Sequence, residues 1–254
     1  MKTIGGAILG LLLALTASMA PPVGAQDLST FLSQPPAPGA WARYRIETKK
    51  SWGIKREPFN LAIIDQQVLD GQPYVWLEAG PTNFAGYKDG YLRLLLKAHP
   101  DRQEALNPFL EALSLAYQPP GGDPFKLSGG ALSFMHSQAK DVQVHQETTD
   151  LPPEPAQTVK GVVYQCSRMT ISTTTQTTFL TRKYKVTEAG TYWVSPDTPF
   201  KIVRAEIVRT EFKDGKENKT EVTVQLKDSG DSGAISHFTA PIRKEKGLLG
   251  LLFH

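Results

Sequence analysis

The stretch Gly230-Asp231-Ser232-Gly233 copies the core of a serine-nucleophile motif. In that chemistry a general base activates the serine and backbone N–H groups hold the oxyanion. The copy does not extend. Ala234-Ile235 stands where Gly-Pro would follow, and no Ala-Ala-His-Cys-like segment surrounds a histidine. The 22 residues after Ser232 are too few to finish the barrel that uses the motif. A solvated linker is the reading that remains. Of the five histidines, His136 and His145 flank a loop and a strand, and His237 lies far downstream. No pair has the helical H-x-x-x-H spacing of a zinc site, and no Cys/His cluster exists. Glu47, Asp65 and Glu78 sit on or near strand-like segments, where carboxylates can converge for acid–base work. A metal-dependent or carboxylate-based hydrolase is therefore the alternative reading. No glycine-rich phosphate loop, G-x-S-x-G elbow or dinucleotide fingerprint follows residue 25. The sequence thus assigns no catalytic residue, metal ligand or cofactor.

Hydrophobic residues make the stronger candidate site. Trp76, Leu94, Phe109, Leu110, Leu113, Tyr117 and Trp193 are placed to face a space between a sheet and a helix. They either fill a core or leave room for a hydrophobic small molecule or lipid. The lone Cys166 has no partner for an internal disulfide and falls in a strand-like run, as a small core residue does.

The elements that position these residues are mostly strands. Trp41–Thr48 alternates, with Ala42, Tyr44 and Ile46 on one side and Arg43, Arg45 and Glu47 on the other. Phe59–Leu69 and Pro73–Ala79 flank Asp70-Gly71, the signature of a two-residue hairpin turn. Pro73–Ala79 has apolar bulk on both faces, so it is covered on both sides or lines a cavity. Pro81–Gly90 reads as a loop, and Tyr91–Ala98 as a strand with Leu92, Leu94 and Leu96 aligned. A helix is expected over 107–117: Asn107 can cap it, Pro108 suits its first position, and Leu106, Phe109, Leu110, Leu113 and Tyr117 form one stripe. Leu132–Met135 suggests a short second helix. Asp141–Glu147 reads as a short strand and Leu151–Ala156 as a proline-rich crossing. Val159–Thr173 and Thr177–Val186 read as a long hairpin around Thr174–Gln176. Gly190–Phe212 is a strand, a proline-bracketed corner at 195–199 and a longer strand. Thr220–Lys227 alternates with Val222, Val224 and Leu226 inward. The expected class is mainly β (α+β): a curved antiparallel sheet, or half-barrel, with one or two short helices on its concave face.

The ends divide the chain further. Lys2, the apolar Ile4–Ala17 and Val23-Gly24-Ala25 form the three parts of a cleavable export signal, over residues 1–25. No cysteine sits at the cleavage boundary, so a lipid-anchor signal is not expected, and the product is placed in the periplasm or outside the cell. Removing Lys2 leaves 27 basic against 25 acidic residues, and no Lys/Arg run suggests a nucleic-acid groove. Residues 26–40 form a lead-in, 41–227 a single domain, and 228–254 a flexible linker and apolar tail. Leu248–Phe253 is too short to span a bilayer, so no transmembrane span is expected after signal cleavage. That tail packs back on the body or docks on an envelope protein partner.

The export signal, the run of hairpins, the inserted helix and the Trp193-Val194-Ser195-Pro196-Asp197…Pro199…Lys201 corner together resemble the LolA/LolB-like periplasmic half-barrel group. The resemblance covers most of Trp41–Lys227. It implies an antiparallel sheet curled around short helices, able to hold acyl chains between the layers. It leads to the expectation of an exported, non-enzymatic protein that binds a lipid or other apolar ligand, or serves as an envelope interaction module.

Overall fold

The computed structural model describes residues 35–98, 112–139, 143–152, 154, 156–179, 182–213, 216–247 and 250. Its strands are β1 (Trp41–Lys50), β2 (Gly53–Leu69), β3 (Gln72–Phe84), β4 (Tyr87–Lys97), β5 (Ser114–Gln118), β6 (Phe125–Leu127) and β7 (Gln143–Leu151). They continue with β8 (Gln157–Val159), β9 (Val162–Tyr164), β10 (Ser167–Phe179), β11 (Arg182–Val194), β12 (Ile202–Lys213), β13 (Lys216–Gly230) and β14 (Lys244–Lys246). One helix, α1 (Gly129–Ala139), lies between β6 and β7. Twelve strands form one curved, open sheet in the order β14-β6-β5-β4-β3-β2-β1-β13-β12-β11-β10-β7, and β8 and β9 pair separately. Among the described residues every pairing is antiparallel except β14 with β6. The mainly β, curved-sheet architecture expected from the sequence is the observed one.

Alternation places the core. Ala42, Tyr44 and Ile46 of β1 are buried on the face they share with Val222, Val224 and Leu226 of β13 and with Phe59 and Leu61 of β2. Leu77 of β3, Leu94 of β4 and Leu115 of β5 continue that face across the register. The sheet closes its near edge on an aromatic cluster in which Phe84, Tyr87 and Phe125 surround Tyr117. The Tyr117 hydroxyl donates to the Thr82 carbonyl at 2.9 Å and accepts the Gly90 N–H at 2.9 Å. A Cβ on Gly90 would lie 2.4 Å from the Tyr117 ring, so the glycine is what lets the strand approach it. Helix α1 docks through Ala131 and Leu132, and the Ser128 hydroxyl accepts the Ala131 N–H as its cap.

Several local expectations are corrected. The helix expected over 107–117 ends as strand: Ser114–Gln118 is β5, while Phe109, Leu110 and the start of that segment lie outside the described residues. The cause is an ambiguity of period. Residues four apart share a face in a strand as well as in a helix, so Leu113 and Tyr117 fit both. Pro81–Gly90 is not a loop. β3 runs to Phe84, turns at Ala85-Gly86 and returns as β4 from Tyr87. Ala85 and Gly86 both have positive φ, as do Asp70-Gly71 and Lys160-Gly161, so all three are two-residue turns whose twist suits a hairpin. Only Asp70-Gly71 shows the usual residues. Thr174–Gln176 lies inside β10, which continues to Phe179 and pairs with Arg182. Threonine favours strands, and nothing in that triplet favours a turn.

Two substitutions separate the polar and steric parts of the Tyr117 contact. Tyr117→Phe leaves the Gly90 N–H and Thr82 carbonyl without a partner and is expected to cost about 1–3 kcal/mol. Gly90→Ala drives a methyl into the ring and is expected to cost about 3 kcal/mol. Urea denaturation followed by circular dichroism reads both values.

Candidate functional site

A cleft of about 320 Å³ opens over the core face where β1, β2, β12 and β13 meet. Its floor is apolar: Ile46, Phe59, Ile207 and Val222. The same alternation that buries the core extends here to strand ends that carry charge, so the floor gives way to Lys50, Lys55, Glu57, Glu188, Arg209 and Glu211. Arg209 joins two carboxylates. Its Nη1 lies 3.2 Å from Glu188 Oε1 across the β11–β12 register, and its Nε donates to Glu211 Oε1 at 2.9 Å. Burial pushes the Glu188 carboxyl above its usual range, Arg209 pulls it down, and Glu211 pushes it up again. One guanidinium thus serves two acids in a partly desolvated place. Trp52 and Asp89 complete the mouth.

A second polar cluster lies on the opposite face of the sheet. Glu78 points away from Leu77 and is 1% exposed. Arg93, its cross-strand partner, donates to Glu78 Oε1 from Nε at 2.9 Å and from Nη2 at 2.7 Å. The Ser236 hydroxyl donates to the same oxygen at 2.7 Å, and the His237 N–H donates to Oε2 at 2.8 Å. The His237 ring stacks on Tyr91 at 3.7 Å between centroids, and Arg93 lies over Phe238 at 4.2 Å. Glu78 and His237, two candidates for acid–base work, are therefore brought together, with His237 Nδ1 3.6 Å from Glu78 Oε2. The arrangement is a fastening. The single proton of Ser236 is spent on Glu78, and its oxygen accepts from Arg93 Nη2 at 2.7 Å and from the Phe238 N–H at 3.0 Å. No lone pair or proton is left for attack. Burial pushes the His237 imidazole below its usual value, against the pull of Glu78.

The stretch after Lys227, expected as a flexible linker, is held by these contacts. β13 continues to Gly230, the Ala234 N–H bonds the Gly39 carbonyl, and β14 joins the sheet beside β6. Gly230-Asp231-Ser232-Gly233 lies at its start, where the Ser232 carbonyl accepts Trp41 Nε1–H.

The hydrophobic candidates fall in different places. Leu94 and Tyr117 are buried on the core face. Trp76 pairs with Leu95 and so lies on the opposite face from Leu94. Trp193 is buried on the face opposite Tyr192, where its indole N–H donates to Glu154 and Arg204 covers its ring. Leu113 is 45% exposed, and Phe109 and Leu110 lie outside the described residues. The cleft uses none of the five that lie among the described residues. Its residues were missed because single charged residues near strand ends look like ordinary solvated faces. The signal in the sequence was the change of inward residues from Ile207 to Arg209 and Glu211 at period two. Of the other candidates, Glu47 pairs with Arg56, Asp65 accepts the Gln66 N–H, and His145 lies 3.3 Å from Glu147. The side chain of His136 lies outside the description. Cys166 is buried, as expected. Among the described residues no three His, Cys, Asp or Glu side chains group to hold a metal ion. Among them, too, no helix is long and apolar enough to cross a membrane.

The fold and cleft define an open, curved antiparallel sheet with an amphiphilic recess on its core face. Neither a protein-family model nor a curated protein matches the sequence. Solved structures similar in layout include a candidate lipoprotein from Parabacteroides distasonis, 10% identical, covering 77% of this chain and 97% of its own, with a TM-score of 0.35. A candidate exported protein with a YmcC-like fold from Bacteroides fragilis is 10% identical over 76% of this chain and 98% of its own, at a TM-score of 0.33. A DUF1329 family protein from Desulfovibrio piger is 11% identical over 84% of this chain and 95% of its own, at 0.32. Likeness of this degree establishes no family.

Two measurements probe the clusters. Arg209→Met leaves Glu188 and Glu211 facing each other without a counter-charge. It is expected to cost about 2 kcal/mol at pH 7, after discount for partial exposure, and less at pH 5, where the Glu188 carboxyl, held above its usual range by burial, takes up a proton more readily. Denaturant titrations at the two pH values check this. For His237 the folded state binds the proton less readily than the unfolded chain, so the fastening is at full strength above about pH 6.5 and weakens as pH falls below it. Amide exchange at His237 and Phe238, corrected for its intrinsic pH dependence, is expected to quicken from pH 7 to 5, and to do so much less in His237→Gln.

Proposed function

We propose that this protein is a non-catalytic binding protein that takes an amphiphilic ligand into the cleft between β1, β2, β12 and β13. The observation that carries the reading is one recess with two chemistries: an apolar floor of Ile46, Phe59, Ile207 and Val222, and the Glu188–Arg209–Glu211 cluster at its side. A volume near 320 Å³ sits at the lower end of small-molecule sites, which run from about 300 to 1,000 Å³. An alkyl or aryl body fits the floor. Two carboxylates sharing one guanidinium favour a ligand whose polar end carries positive charge or hydrogen-bond donors. The export-signal pattern of residues 1–25 supports placing this activity in the periplasm or outside the cell. A hydrolase built on Glu78 and His237 is less well supported, because the hydroxyl beside them is fully committed.

Filling the cleft tests the reading. A naphthylamine fluorophore, with an apolar ring system and an amine, is expected to bind the protein saturably and brighten. Val222→Trp should weaken that binding by about tenfold or more while leaving the far-ultraviolet circular dichroism unchanged. Equal binding by Val222→Trp would remove the cleft as the site.

A further inference from the structure

The cleft opens toward one end of the sheet, and that end has a character of its own. Three hairpins end there, closed by Lys50 opposite Gly53, Phe179 opposite Arg182 and Lys213 opposite Lys216, and pairing between them sets Lys49 opposite Glu221 and Lys185 opposite Phe212. Within 47–57, 179–185 and 209–221 the sequence has eleven Lys and Arg against six Asp and Glu, a net of +5, whereas the whole chain carries +3. The rest of the sequence is therefore net acidic. The same end exposes its apolar side chains. Trp52 is 77% exposed in the β1–β2 turn, Ile54 53% beside it, and Phe212 38% at the end of β12. Lys50 lies over the Trp52 ring at 5.6 Å and Lys185 over Phe212 at 5.8 Å. Four of the cations are balanced by carboxylates: Lys49 by Glu221, Lys55 by Glu57, Arg56 by Glu47, and Arg209 by Glu188 and Glu211.

We propose that this end docks on an anionic lipid surface, with Trp52, Ile54 and Phe212 entering the interface and the surrounding Lys and Arg meeting the headgroups. Charge complementarity selects the occupant. A basic surface attracts acidic lipid, and the attraction falls off within a Debye length, so the cations must sit beside the apolar tips, as Lys50 does at Trp52 and Lys185 at Phe212. Tryptophan suits the boundary because its ring is apolar and its N–H is polar. Long lysine stems let the ammonium stay at headgroup level while the tip enters. An exposed Trp beside an exposed Ile at a turn has no gain from folding; it gains from leaving water on contact. The proposal goes beyond the cleft reading and stands whether or not the cleft takes a ligand. Trp52 and Lys50 line the cleft mouth, so docking would also present that mouth to the lipid.

Vesicle co-sedimentation with the full chain tests it. Vesicles of phosphatidylglycerol with phosphatidylcholine are compared with phosphatidylcholine alone, at low and at physiological salt. The wild type is expected to partition at least about tenfold more strongly to the anionic vesicles, with the advantage shrinking as salt rises. Lys50→Glu with Lys185→Glu should remove most of that preference. Trp52→Ala with Ile54→Ala should weaken binding by about fivefold or more, and brominated lipid should quench wild-type fluorescence well beyond that of Trp52→Phe. The apolar segments at 4–17 and 248–253 are common to all variants, so differences report on the tip. Equal binding to both vesicle types, or unchanged binding in either double variant, overturns the proposal. So does anionic binding without quenching at Trp52, which would mean charge adhesion with no insertion.

Discussion

A carboxylate in the middle of a sheet ties the two ends of this chain together. Taking Glu78 out of water costs several kcal/mol, and the cost is offset only where its oxygens are met by donors. Arg93 supplies two hydrogen bonds from the neighbouring strand. Those alone would leave Oε2 unsatisfied. The remaining donors, Ser236 Oγ and the His237 N–H, come from about 158 residues further along. The demand for hydrogen-bond satisfaction thus recruits the C-terminal stretch to the outer face of β3 and β4. From there the chain runs on to β14 and adds an edge strand beside β6. The double-sided burial of β3 follows from this, since its second face is covered by the protein's own chain.

With that half of the sheet sealed, the recess falls to the other half. Around Leu77, Leu94 and Tyr117 the core face is filled by large side chains that meet in tilted ring contacts. Toward the ends of β1, β11, β12 and β13 the inward residues become Glu188, Arg209 and Glu211. Charged groups cannot pack as leucines do, and their need for solvent and counter-charge keeps the space partly open. One alternating pattern therefore makes both a packed core and an amphiphilic cleft, according to which residue type falls on the inward beat.

The long strands then carry that contrast to the molecular surface. Because antiparallel hairpins place their turns in register, charges separated by more than a hundred residues collect at one end. Trp52 and Phe212 are unremarkable singly, since exposed apolar residues are common on folded proteins. Their concentration within a basic rim is a property of the sheet.

Local physics made much of the scaffold legible in the sequence. Alternation of Ala42, Tyr44 and Ile46, of Val222, Val224 and Leu226, and of Leu92, Leu94 and Leu96 sets strands and faces with no knowledge of neighbours. Asp70-Gly71 and the prolines around residues 195–199 place turns because their backbone preferences are intrinsic. Where a pattern served two periods, as Leu113 and Tyr117 did, only the strand beside it could decide. Ala85-Gly86 and Lys160-Gly161 turn because the flanking strands pair, which no local preference reports. The candidate site was least legible, since Trp76 and Leu94 lie on opposite faces and the cleft draws on residues from seven strands. Which charged side chains share a dry recess, and which distant N–H reaches a buried carboxylate, depend on register between strands far apart in the chain. That register is set by the whole sheet burying one face at once, so it belongs to the tertiary structure.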